Sequence, residues 1–190
     1  MGKEAKINTK EKIILGIDPG TNVMGYGLIQ IRGNAMETIQ YGVIHLKKYN
    51  DHALKLKKIF DRVTQIIDEY HPDSVALEAP FYGENIQSML KLGRAQGVAM
   101  AAALAKEISI TEYSPKKVKQ SVTGNGNASK EQVAEMLKTL LHLTEIPKLL
   151  DASDALAVAV CHHFHSGRIQ SSGRNAGWKS FLAENPERLK

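Results

Sequence analysis

The chain predicts an α/β domain on a five-stranded mixed sheet, three antiparallel strands first, flanked by helices. Two patterns predict it. Three short apolar, β-branched runs follow one another near the start, separated by turn residues. Further strand-like runs then alternate with longer segments whose apolar residues step by three and four. Composition agrees: 43% hydrophobic and 24% charged residues are ordinary for a globular domain, and 190 residues suffice for one substantial core.

"KIILGID" (12–18) is short enough for a buried strand. "GYGLIQIRG" and "METIQYGVIHL" follow with Gly33-Asn34 between them, predicting a meander. In "DHALKLKKIFDRVTQIIDEYHP", Leu56, Ile59, Phe60, Val63, Ile66, Ile67 and Tyr70 form one face of a helix that Pro72 ends. "SVALEAP" (74–80) is the fourth strand and "ISITEYSP" (108–115) the fifth, with a helix from Asn85 to Lys106 between them. Gly93, Gly97 and Ala101 recur every four residues on that helix; such a stripe fits either packing on the domain's own sheet or a helix pair across a dimer. After the loop "TGNGNAS", Ser129 and Gln132 have capping-box spacing ahead of an apolar face of Val133, Met136, Leu137, Leu140 and Leu141. The last helix is "LLDASDALAVAVCHHF". Residues 1–11 read as a flexible leader, 12–167 as the domain, and 168–190 as a disordered basic tail.

No apolar run approaches a membrane span, and the opening "MGKEAKINTKEK" is too polar for a secretory signal. A single cysteine, Cys161, excludes an internal disulfide and a cysteine zinc cage, so the expected compartment is the cytoplasm. Net charge is +5, of which the tail carries +3. Residues 114–130 hold Lys116, Lys117, Lys119 and Lys130 and no acid, which suits a polyanionic partner.

Four carboxylates stand in apolar surroundings. Asp18 ends the first strand, Glu78 ends the fourth, and Asp151 and Asp154 open the last helix. Their i, i+3 spacing puts the two helical aspartates on one face, Cβ atoms about 5–6 Å apart. A turn role accounts for Asp18 alone and a cap role for Asp151, but Glu78 has neither explanation. Buried carboxylates are costly unless paired or bound to a cation. Oxygen ligands without histidine or cysteine spacing suit hard cations such as Mg²⁺ or Mn²⁺, and four of them around two metals make an arrangement used for phosphodiester hydrolysis.

The ordered set "ILGIDPGTNVMGYG", "ALEAPF", "LKLGRAQGVA", "VKQSVTGNGNASKEQV" and "DASDALAVA" resembles the RuvC family of Holliday-junction resolvases from about Lys12 to His165. The resemblance implies a ribonuclease H-like fold and a homodimer that nicks two strands of like polarity symmetrically at a four-way DNA junction. The products would carry 5′-phosphate and 3′-hydroxyl ends. It implies Asp18, Glu78, Asp151 and Asp154 as catalytic, metal-binding acids holding two Mg²⁺ per subunit, with Mn²⁺ as a substitute. It further implies Phe81 stacking on bases at the crossover, Lys119 and Lys130 binding DNA, and cooperation with the RuvA–RuvB branch-migration machinery. Lys116 and Lys117 would add salt-sensitive phosphate contacts.

Ala79-Pro80 and Gly83-Glu84 make the loop around Phe81 a local variant of the family pattern, and Glu84 brings a negative charge near the expected DNA surface. His162, His163 and His165 are read as solvated residues at the end of the last helix, not ligands. Against a sister nuclease of the same fold acting on RNA or on Holliday-like intermediates, the Phe81 loop and Val118-Lys119-Gln120 favour the resolvase, and two further functions compete. One is a junction-binding module of the same fold without catalysis, against which the four acids stand. The other is an actin-like phosphotransferase, whose two lobes and second glycine-rich motif this chain lacks.

Overall fold

The computed structural model describes residues 11–80, 85–145, 147 and 149–172. Strands β1 (Lys12–Asp18), β2 (Val23–Arg32) and β3 (Ala35–His45) form the expected meander. Helix α1 (His52–Tyr70), β4 (Ser74–Glu78), α2 (Ile86–Leu104) and β5 (Ser109–Tyr113) follow. Three helices complete the chain: α3 (Pro115–Thr123), α4 (Lys130–Leu140) and α5 (Leu150–Ser172). The sheet order is β3-β2-β1-β4-β5, antiparallel from β1 to β3 and parallel across β1, β4 and β5.

Strand alternation sorts the core into two layers. Leu15, Ile17, Leu28, Val75 and Leu77 face α1 and α2, while Ile14, Ile29, Ala76 and Tyr113 face α3, α4 and α5. By the same alternation Asp18 and Glu78 belong to the α5 face. They stand at neighbouring strand ends, one step beyond the paired Ile17 and Leu77.

Helix α5 lies against bare backbone. A Cβ on Gly16 would stand 2.1 Å from the Ala155 carbonyl oxygen, and one on Gly25 only 1.9 Å from that of Asp151. Glycine on the sheet, with Ala152, Ala155 and Ala159 on the helix, lets main chain meet main chain. This seat carries the helical aspartates to the tip of β1.

Several expectations are corrected. α3 is a full helix where the sequence suggested only a basic stretch after β5. Ser114 caps it by accepting from the Lys117 amide, Pro115 occupies its first turn, Gly124 closes it at φ +77°, and Val118 and Val122 anchor it. Phe60 and Met136, assigned to apolar helix faces, are 41% and 38% exposed, because each sits at the edge of its buried stripe. α5 runs past residue 167, and the leader before Glu11 and the tail beyond Ser172 lie outside the described residues. The Gly93/Gly97 stripe of α2 does not pack on the sheet: a Cβ at either glycine meets nothing within 4 Å. His162 is not solvated. It is buried, with Nδ1 3.0 Å from the Tyr113 hydroxyl, and its pKa is pushed down to about 4, by burial first and then by the nearby Lys12, His163 and His165.

Candidate active site

The C-terminal ends of β1 and β4 deliver Asp18 and Glu78, and the first turns of α5 deliver Asp151 and Asp154. One ligand atom from each of Asp18, Asp151 and Asp154 lies within 4.8 Å of the others. Two oxygens on opposite sides of one Mg²⁺ are about 4.2 Å apart, so small side-chain adjustments close this triad around a cation. Glu78 stands outside the triad but shares its cleft. A hollow of about 320 Å³ is lined by Asp18, Glu78 and Asp154 together with Lys119 and Lys130, over Val118 and Val133.

The electrostatics record the crowding. The Asp18 carboxyl is pushed up to about 8, first by burial and then by the charges of Glu78, Asp154 and Asp151; Lys130 acts against them. Glu78 is raised to about 7 by burial and by Asp154, opposed by Lys130 and Lys119. Lys130 Nζ donates to Asp154 Oδ2 at 2.5 Å, and this bond holds its ammonium above the ordinary lysine value. Acids that burial and mutual repulsion leave under-neutralised make a fit site for a divalent cation.

Of the residues expected at the site, the four acids, Lys119 and Lys130 come together. Lys116 and Lys117 are on α3 but line a different cleft. Phe81 lies outside the described residues. The glycine seat under α5 was missed by sequence reasoning, although Gly25-x-Gly27 already shows period-two glycines on a strand, with Gly16 two residues before Asp18 on its neighbour and an alanine-rich helix to follow. Gln96 was missed too: buried on α2, it donates to the Glu112 carboxylate and lies 3.5 Å from the Glu78 carbonyl oxygen.

Residues 14–162 match the family model for RuvC, crossover junction endodeoxyribonuclease. The chain belongs to the RuvC family. A RuvC of Cytophaga hutchinsonii is 64% identical over 96% of this chain and 90% of its own length. One from Christiangramia forsetii is 55% identical over 98% and 97%. Among solved structures, Thermus thermophilus RuvC in complex with Holliday junction substrate superposes with a TM-score of 0.79 at 30% identity, covering 84% of this chain and 97% of that one. The fold is therefore the α/β fold of RuvC, as the resemblance implied, and the chain is a crossover junction endodeoxyribonuclease. RuvC enzymes are metal-dependent, and the acid cluster is where this member can hold a cation. No described helix is long and apolar enough to cross a membrane.

Proposed function

We propose that this RuvC member resolves four-way DNA junctions in recombination and repair by nicking two strands of like polarity, using Asp18, Glu78, Asp151 and Asp154 to hold two Mg²⁺ per subunit. The convergence of three carboxylates within 4.8 Å, beside Glu78 and two lysines, carries the reading. Bound cations would supply an activated water and a counter-charge for the leaving 3′ oxygen, giving 5′-phosphate and 3′-hydroxyl ends. The chain's own residues do the rest. The strand-end acids fix the position of the charge, the α5 pair closes over it, and Lys119 and Lys130 draw the scissile phosphate into the cleft. Phe81 serves to stack on bases at the opened crossover.

A homodimer fits the substrate's two-fold symmetry, one site per strand. The exposed face of α2 supports this arrangement. Ile86, Leu90 and Leu104 are 73%, 50% and 56% exposed, in line with Gly93 and Gly97, where a second helix can approach closely. Cooperation with RuvA–RuvB and a cytoplasmic location accompany this role.

The test uses a labelled synthetic junction with a movable core. Paired, ligatable nicks that require Mg²⁺ are expected, and Asp18→Asn and Glu78→Gln abolish them while junction affinity stays within a few-fold. Tight binding without cleavage in both Mg²⁺ and Mn²⁺ would mark a recognition module instead.

A further inference from the structure

Helix α3 is a wall with a cleft on each side. Val118 and Lys119 line the acid cleft. Lys116, Lys117, Gln120 and Ser121 line a second hollow, of about 640 Å³, which Phe164 and His165 of α5 complete. No carboxylate lines it, and among the described residues neither Lys116 nor Lys117 pairs with one, in contrast to Lys130 on Asp154. Both lysines are braced, Lys117 at its head and Lys116 at its stem. The Lys117 ammonium sits 5.2 Å from the Tyr113 ring centroid, and Lys116 Cγ lies so near Gly126 that a Cβ there would stand 2.8 Å away. Phe164 is 36% exposed on a helix whose preceding turns, from Ala155 to Cys161, are sealed.

α5 also runs past both clefts. Asp154 and Phe164 are ten residues apart on it, about 15 Å of helix, which equals the rise of four to five nucleotides along a DNA strand. We propose that the second cleft is a flanking subsite for the strand being cut: Lys116 and Lys117 take a backbone phosphate and Phe164 stacks on a sugar–base face, four to five nucleotides from the scissile phosphate. The inference rests on the junction reading. It names nucleic acid and not an acidic peptide, because a cation pair beside an aromatic platform matches a phosphate beside a base, and a carboxylate side chain offers no π face.

The experiment measures affinity of the full chain for the four-way junction in EDTA, by anisotropy, across a salt series. For Lys116→Gln/Lys117→Gln the slope of log affinity against log salt falls by about one, and affinity drops tenfold or more. For Phe164→Ala affinity falls about tenfold with the slope unchanged. A scan of single neutral methylphosphonates finds a sensitive position four to five nucleotides from the nick in wild type, and that sensitivity disappears in the lysine variant. Melting temperatures and Mn²⁺ affinities equal to wild type certify that the variants fold. Wild-type slopes and affinities in both variants, or competition by poly-glutamate equal to that by DNA, would overturn the subsite. Failure of the wild-type chain to nick the junction would overturn the resolvase reading instead, so the two failures are distinct.

Discussion

Lys130 and a divalent cation compete for one carboxylate. The ammonium stands 2.5 Å from Asp154 Oδ2, and Asp154 is also a member of the three-acid cluster. Lys130→Gln is therefore expected to bind Mn²⁺ about tenfold more tightly in the absence of DNA, by calorimetry, even as nicking falls. Lys119→Gln is the control. Lys119 lines the same cleft but is not bonded to a carboxylate among the described residues, so a two- to threefold change is expected. Equal gains in both variants would reduce the effect to loss of general positive charge. The acids were legible in the sequence because each interrupts an apolar run or opens an apolar helix, where a charge needs a reason. The lysines were legible only as a group. Which of Lys116, Lys117 and Lys119 meets the acids depends on which side of α3 each occupies, and that helix was itself not foreseen; Lys130 reaches them from the first turn of α4.

At the scale of elements, the sheet order follows from strand length, turn signals and the helices between strands. What the pattern left unread was contact through absent side chains. Apolar periodicity marks the faces that bury large groups, and a glycine contributes nothing to such a count; yet Gly16 and Gly25 decide where α5 rests. α3 escaped for a related reason. Its nine residues carry only Val118 and Val122 as buried anchors, too few for a periodic signal, although Ser114-Pro115 and Gly124 marked both ends. Gly25→Ala tests the seat. Its Cβ falls 1.9 Å from the Asp151 carbonyl oxygen, so the helix must lift. A loss of about 3 kcal/mol in stability is expected by denaturant titration, together with loss of Mn²⁺ binding. A variant with wild-type stability would show that α5 does not rest on this strand.

For the whole molecule, the acid cluster couples proton uptake to folding. Asp18 and Glu78 are raised to about 8 and about 7 from ordinary values of 3.8 and 4.5, by burial first. A carboxyl with a raised folded value contributes stability that is complete below its unfolded value and lost as pH rises through the folded one. In EDTA the melting temperature is thus expected to fall between about pH 5 and pH 8.5. Millimolar Mg²⁺ offsets the loss by binding the ionised cluster, and Asp18→Asn flattens it. A melting curve that rises across this range in EDTA would contradict the assignment. The α2 face gives a second global test, of the proposed dimer: Leu90→Arg is expected, by sedimentation, to yield monomers that still bind Mn²⁺ but no longer make paired nicks. A dimer that persists in this variant would move the interface elsewhere.

Backbone resting on backbone has no rotamers to relax. The separation between the β1 acid and the two α5 acids is gauged by peptide atoms, so it does not drift with the volume of neighbouring side chains. Core substitutions that soften the fold are therefore expected to lower its melting point before they change the spacing of the acids. The seat is in this sense a caliper: it sets the spacing of the strand and helix that carry the acids, and leaves only the carboxylate rotamers to close on a cation.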